Sequence, residues 1–309
     1  MDVILHVGAH SAGIKGFGAY MRANAATFDA TGVVFWGAED LRRGLMSGLQ
    51  PNQLPTLGRN MRKRAIGRVQ MKLRQEAERG TQRLWVCDSN LLGVARDNLA
   101  WETLYAGAGV RLARYFEAFD GQVTDVVLSV RDLLGFWLGL LAQELIKGGD
   151  IPTPARLDKL VNGPRSWRDV VADVACAVPG ARVWVAPFEV FSSQPDALFL
   201  SVTACEGPAT HAREALDTVP DLQELRRAGV TGLPDGYGRW MPFDLRQQAH
   251  LRELYADDLM WLQAGADGLA WLLDDPRKGQ TGSNPSAKRV TEGSENDDGQ
   301  GRLAQAGEG

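Results

Sequence analysis

Short apolar runs that alternate with segments of helical periodicity constrain this fold more than any other feature of the sequence. Five of them are predicted to be buried strands: residues 3–8, 33–36, 84–87, 123–130 and 182–186. The run 123–130 is nearly continuous in β-branched residues, which is typical of a parallel strand covered on both faces. Helical crossovers between such strands are right-handed. The pattern therefore predicts an α/β fold, a doubly wound parallel sheet with helices on both faces.

The longest helical segment is strongly basic. Residues 59–83 hold nine Lys and Arg against two Glu, and an apolar stripe recurs at helical spacing. The stripe consists of Met61, Ala65, Val69 and Leu73. It predicts a helix with one buried face. The basic side chains are interpreted as a solvated face, with contact to an anionic substrate or partner as the open alternative.

Composition changes sharply near the end of the chain. Of the 309 residues, those up to 275 have a globular mixture, whereas residues 276–309 are rich in Gly, Ser, Asn, Gln and charge. Such a segment buries too little apolar surface to offset its ordering entropy. We expect one domain over 1–275 and a disordered tail over 276–309.

The net charge, the cysteine spacing and the hydropathy argue against several classes of protein. A net charge of -4 gives no general attraction to nucleic acid. The three cysteines have no metal-ligand spacing, and their apolar neighbours predict buried thiols. The apolar run 133–145 is too short to cross a bilayer, and residues 1–6 do not resemble a signal peptide, so we expect a cytoplasmic protein without an integral membrane segment. The tryptophans at helical and strand positions are predicted to be core: Trp36, Trp85, Trp101, Trp137, Trp167, Trp240, Trp261 and Trp271.

The first strand runs into a glycine-containing loop and then a helix, the geometry that holds a phosphate. Gly8 and Gly13 fit the first half of a Walker A motif. Ile14 then stands where that motif has lysine, and Lys15 comes one residue late. A P-loop kinase or other nucleotide triphosphatase is therefore disfavoured, although Asp88 after the third strand would suit a Mg²⁺ ligand.

The same segment, His-Val-Gly-Ala-His-Ser-Ala-Gly-Ile-Lys from residue 6, resembles the opening of the bacterial sulfotransferase-like family, which reads H-I-G-x-H-K-T-G-T-T. Later segments are also similar, in the same order: residues 84–93 to S-x-E-N-L-L-G, Arg131 to a 3′-phosphate motif, residues 183–191 to R-Y-E-D-L, and residues 254–259 to a closing helix. The resemblance covers roughly residues 1–270. It implies a P-loop NTPase-like fold.

The resemblance also implies a reaction. It points to transfer of a sulfuryl group from PAPS (3′-phosphoadenosine 5′-phosphosulfate) to a hydroxyl of a carbohydrate or other small acceptor, which leaves PAP (adenosine 3′,5′-bisphosphate). Arg131 would hold the 3′-phosphate, and His10 or Asp88 would take the acceptor proton. The 5′-phosphosulfate would lie in the loop, at Gly8, Ala9, Ser11, Gly13, Lys15 and Gly16.

Several positions depart from the family pattern. Ser11 replaces the loop lysine, Ser89 replaces a glutamate that is a candidate base, and Gly139 replaces the serine that would accompany Arg131. Each change removes charge stabilisation, a base or a hydrogen bond from the reaction. A catalytically inactive binding or interaction protein with the same fold is therefore the alternative interpretation.

Overall fold

Six parallel strands form the central sheet of the computed structural model, in the order β2-β3-β1-β4-β5-β6. The structure describes residues 1–49, 55–214 and 219–278, and one unit spans Met1–Pro276. The strands are β1 (Asp2–Val7), β2 (Val33–Gly37), β3 (Arg83–Cys87), β4 (Val123–Val130), β5 (Arg182–Pro187) and β6 (Trp271–Leu272). The α/β class and the parallel sheet are thus confirmed.

The helices fill the connections between these strands. They are α1 (Ile14–Ala23), α2 (Ala25–Ala30), α3 (Ala38–Asp40), α4 (Pro55–Glu78), α5 (Ala95–Ala100), α6 (Ala108–Ala118), α7 (Leu133–Ile146), α8 (Pro154–Val161), α9 (Trp167–Ala177), α10 (Phe188–Phe191), α11 (Pro195–Thr203), α12 (Leu222–Arg227) and α13 (Leu245–Gln263). A π-helical turn spans Leu41–Leu45, and short 3₁₀ turns span Ser89–Leu91 and Ala266–Gly268.

Alternate residues of β1 serve two separate hydrophobic cores. Val3 and Leu5 belong to the larger core, which also holds buried residues of α4, α6, α7 and α9. Ile4 belongs to the smaller core together with Phe17 of α1 and Phe199 of α11. Because successive strand side chains point to opposite faces, the two cores lie on opposite faces of the sheet.

The basic helix predicted within residues 59–83 is present as α4, but it ends at Glu78, and Arg83 already belongs to β3. In α4 the stripe residues Ala65, Val69 and Leu73 are fully or almost fully buried. The apolar spacing within residues 17–31 predicts one helix, but the structure has two, α1 and α2, which meet at Asn24. The Asn24 amide donates to the carbonyl oxygens of Tyr20 and Thr210, so its side chain bonds the backbone where a continuing helix would run.

Two groups of burial predictions need correction. Trp101 and Trp271 are 58% and 50% exposed, because they lie at the rims of cavities and not on core-facing positions. Cys87 is buried as expected, but Cys176 and Cys205 are exposed. Cys176 lies on the outer side of α9, and Cys205 lies in the loop after α11.

The remaining predictions concern the tail and the membrane. The expected disorder of residues 276–309 falls almost wholly on 279–309, which lie outside the described residues. In the described part of the chain, none of the helices has both the length and the apolar character that a bilayer crossing requires.

Candidate functional site

The topology places a switch point, called here the crevice, at the carboxyl ends of β1 and β4. From β1 the chain leads to β2 at one edge of the sheet, whereas from β4 it leads to β5 on the other side. The connections after these two adjacent strands therefore diverge, and such a switch point is where open α/β sheets bind ligands. The loop of residues 8–13 follows β1, and Arg131 follows β4 directly. Both predicted phosphate contacts thus lie at this crevice.

The loop has the backbone that its glycines predict. Gly8, Ser11 and Gly13 have positive φ angles of 52°, 58° and 85°. Gly13 is the N-cap residue of α1, and because it has no side chain it makes no side-chain capping hydrogen bond. The Ala9 N–H donates to the carbonyl of Ser129 at 2.6 Å, which fixes the loop to β4.

Arg131 joins the two sides of the crevice. Its NH1 group donates a hydrogen bond to the Ser11 carbonyl at 2.5 Å, and its guanidinium carbon lies 4.1 Å from the centre of the Phe188 ring. The Arg131 carbonyl accepts from the indole N–H of Trp167 at 2.8 Å. The side chain is 9% exposed, so a positive charge is held almost out of water beside the loop. Its Nε lies 3.8 Å from Oδ2 of Asp132, so this charge also has an acidic neighbour.

His10 is bound through both ring nitrogens. Its Nδ1 lies 2.7 Å from the Tyr105 hydroxyl, and its Nε2 lies 3.0 Å from Oδ1 of Asn90. The backbone N–H of His10 also donates to the Tyr105 hydroxyl, at 2.9 Å. Burial lowers the pKa of His10 below its ordinary value, so the ring is neutral near pH 7. A role as general base requires His10 to release one of these partners.

Asp88, the other candidate base, is paired with a cation. Arg42 donates to its two carboxylate oxygens, from Nε at 2.9 Å and from NH2 at 2.5 Å. The Asn90 N–H donates to the same carboxylate at 2.9 Å. The hydrogen bond to Asp88 raises the pKa of Arg42. Asp88 therefore orders the segment after β3 in this conformation.

Lys15 and Gly16 belong to the first turn of α1. The Lys15 side chain is exposed, whereas Gly16 is buried. The positive charge of Lys15 contributes to the lowered pKa of His10, so this charge acts on the loop. The first turn of α1 has no acidic residue, so the start of this helix favours an anion.

At residue 139 the resemblance implies a serine that would assist Arg131, but this chain has glycine there. The space beside Gly139 is occupied by the Ser11 side chain of the loop. Ser11 Oγ accepts a hydrogen bond from Nε2 of Gln143 at 3.0 Å. A Cβ atom at Gly139 would lie 2.7 Å from this Oγ and 2.9 Å from the Cβ of Ser11. Gly139 is thus required for the close approach of α7 to the loop.

This contact predicts a specific coupling. Gly139→Ser is expected to lower the free energy of unfolding by about 1–3 kcal/mol, because the new side chain overlaps Ser11. Combining it with Ser11→Gly removes the overlapping atoms and should recover part of the loss, as measured by urea denaturation of all four proteins. Gly67→Ser is the matched control, since Gly67 is also in a helix and a Cβ there meets nothing within 4 Å. Equal effects of the two serine substitutions would contradict the contact.

The sequence did not reveal the groups that hold the candidate residues. Arg42 lies in a segment without periodicity, and no motif in the sequence distinguishes Tyr105. Asn90 belongs to the polar turn 88–90, whose composition did indicate a loop with polar side chains.

Glu189 accepts from the Asp132 N–H at 3.0 Å and from the Tyr255 hydroxyl at 2.7 Å, and it borders an apolar cavity of about 580 Å³.

Across the described ranges, His, Cys, Asp and Glu side chains form no group of three that would hold a metal ion.

Comparison with models of known protein families, with curated protein sequences and with solved structures found no match to this chain.

Proposed function

We propose that the crevice between β1 and β4 binds PAPS or PAP, and that the chain is a sulfotransferase-family protein of the P-loop type. The observation that carries the proposal is the contact of Arg131 with the Ser11 carbonyl across the switch point. It brings a buried cation to a loop that leads into a helix N-terminus. Positive charge from both sides suits a ligand with a phosphate at each end of its ribose.

The neighbouring cavity offers space for the rest of such a nucleotide. Its described lining includes Pro187, Val190, Leu259 and Trp271, and Glu189 links it to the residue after Arg131. An apolar cavity with few polar groups is typical of sites for bases and cofactors. In this proposal Arg131 contacts the 3′-phosphate, and the loop from Gly8 to Gly16 contacts the 5′-phosphosulfate.

In the catalytic form of this proposal, the acceptor hydroxyl attacks sulfur as the bond from sulfur to the PAP oxygen breaks. The acceptor proton passes to His10 or Asp88. Lys15 and the N–H groups at the start of α1 would offset charge that develops on the leaving oxygen. The acceptor is a hydroxyl of a carbohydrate or another small molecule.

A non-catalytic nucleotide-binding protein is the second candidate, and one observation favours it. His10 contacts Tyr105 and Asn90, and Asp88 is held by Arg42, so both candidate bases have internal partners. A base that must first break a buried hydrogen bond loses about 0.5–1.5 kcal/mol or more of driving force. In this form the crevice binds PAP and the protein transfers nothing.

Calorimetric titration with PAP tests the shared part of both forms. Wild type is expected to bind with a micromolar Kd, and Arg131→Met to bind roughly tenfold to hundredfold more weakly because a charge-assisted contact is lost. Methionine retains an unbranched chain against Phe188. The control is Arg227→Ala, at an exposed residue of α12. Absence of saturable binding at about 1 mM PAP would overturn the proposal, since even weak sites are then half filled.

A second measurement separates the two forms. Radiolabelled PAPS is incubated with a panel of carbohydrate and small hydroxylated acceptors, and label in the acceptor is measured together with PAP release. Transfer that His10→Asn or Asp88→Asn abolishes supports the catalytic form. PAP binding without transfer to any acceptor supports the non-catalytic form.

A further inference from the structure

We propose that a second pocket, on the far side of Leu92 and Tyr105 from the loop after β1, binds a small apolar carboxylate. This pocket, called here the α5–α6 pocket, lies between the segment after β3 and the helices α5 and α6. Its volume is about 280 Å³. Its lining is mostly apolar, and the residues used in the argument are Leu92, Asp97, Trp101, Tyr105, Gly107 and Arg111.

The mouth of the pocket exposes large apolar side chains. Trp101 is 58% exposed and Val110 is 64% exposed, and both line the pocket. Leu92 and Tyr105 at its inner wall are buried. Exposed apolar surface beside a concave site is typical of a ligand-binding site. The rim therefore fits an aromatic or aliphatic body.

Arg111 supplies the polar recognition. It is only 6% exposed, and among the described residues its Nε has no hydrogen-bond partner. Its NH1 lies 4.0 Å from Oδ2 of Asp97, a distance that balances charge without a hydrogen bond. A buried donor without an acceptor is costly, and burial of the charge adds to that cost. A ligand carboxylate beside the guanidinium would supply a hydrogen-bonding counterion to this buried charge.

Asn98 and Tyr105, two other polar residues of the pocket, have internal hydrogen-bond partners. Asn98 accepts from the Tyr105 N–H at 2.6 Å and donates to the Val94 carbonyl at 3.2 Å. The Tyr105 hydroxyl contacts His10. Among the described lining residues, Arg111 thus offers a cationic donor to a ligand, and a bound carboxylate would share this cation with Asp97.

Pocket size limits the ligand. About 280 Å³ lies just below the usual range of roughly 300–1,000 Å³ for ligand pockets, so one or two fused rings with a carboxylate suit it. A Cβ atom at Gly107 would meet nothing within 4 Å, which shows free space along this wall.

A pair of ligands tests the proposal on the whole chain. Calorimetry is performed with 2-naphthoate and with 2-naphthamide, which share their ring system but differ in charge. We expect a Kd below about 1 mM for 2-naphthoate and at least about tenfold weaker binding of 2-naphthamide. Arg111→Met should remove the preference for the carboxylate, whereas Trp101→Ala should weaken both ligands to a similar extent.

Controls keep this test decisive. Arg96→Gln removes an exposed positive charge of α5 beside the pocket and should leave both affinities unchanged. If Arg111→Met does not fold, as judged by circular dichroism, the ligand pair on wild type and the exposed variant Trp101→Ala still decide. The proposal would be overturned by equal binding of the two ligands to wild type or by no saturable binding at about 5 mM 2-naphthoate. It would also be overturned if Arg96→Gln reduced the affinity for 2-naphthoate as much as Arg111→Met does.

Discussion

Acidification from about pH 7 to about pH 4.5 is expected to lower the free energy of unfolding by about 2–3 kcal/mol through His6 alone. Burial lowers the pKa of His6 from 6.5 to about 3. The unfolded chain therefore binds a proton on this ring below pH 6.5, whereas the folded chain does so only near pH 3. The stabilisation by the neutral His6 ring is complete above pH 6.5, and it is lost as the pH falls from 6.5 towards 3.

The surroundings of His6 explain why the neutral ring is required. Its Nε2 lies 2.8 Å from the Ser129 hydroxyl, and its ring packs edge-on against Phe17 at 5.0 Å and against Trp85 at 6.2 Å between centroids. The ring is 0% exposed. An imidazolium at this position would be a charge among apolar side chains.

Urea denaturation over a pH series measures this effect. His6→Phe retains a ring of similar shape but does not titrate, so its stability should fall less than that of wild type between about pH 6.5 and about pH 4.5. The lowered pKa of His10 adds a loss of the same sign in both proteins, and the difference between them isolates His6. His250→Gln, at an exposed residue, should follow wild type. Parallel curves for wild type and His6→Phe would contradict the assignment.

Gly8→Ala is expected to be the most damaging single substitution in the loop, with a loss of about 2–4 kcal/mol. Gly8 has φ of +52°, and a Cβ atom there would lie 2.3 Å from Cδ1 of Leu92 and 2.9 Å from Cδ1 of Leu128. Both leucines are fully buried and have no solvent into which to turn. Backbone strain and steric overlap therefore act together.

A matched glycine separates these two contributions. Gly80 has φ of +84°, but a Cβ atom there would meet nothing within 4 Å. Gly80→Ala should therefore show the strain alone, about 1 kcal/mol, in the same chemical denaturation experiment. A loss for Gly8→Ala no larger than that for Gly80→Ala would show that the core around Leu92 yields easily. Thermal melting of both variants gives an independent measure.

Strand patterns in the sequence predicted most of the sheet, because buried parallel strands are continuous apolar runs. The run 123–130 coincides with β4, and the other four predicted strands lie within one residue of the observed ends. The edge strand Trp271–Leu272 was missed, since two residues paired with Trp184 and Val185 have no periodicity of their own. The break at Asn24 was missed because it depends on Thr210, which is distant in sequence.

The location of the candidate site was predictable, but its side-chain pairing was not. The loop after β1 and Arg131 after β4 meet because the carboxyl ends of parallel strands lie at one edge of the sheet. The partners Arg42 and Tyr105 come from segments whose sequence carries no signal beyond helical or irregular structure. Long-range hydrogen bonds of this kind depend on how the helices pack, which a single sequence does not specify.

The central position of β1 has a consequence for how the chain folds during synthesis. Val3 pairs with Leu84 on one side and with Val123 on the other. The first strand to leave the ribosome therefore has no partner until β3 has been made, and one of its edges stays unpaired until β4 follows. Such non-local pairing slows folding and exposes edges that aggregate. Nascent chains that end before residue 123 should therefore depend on chaperones more than the complete domain.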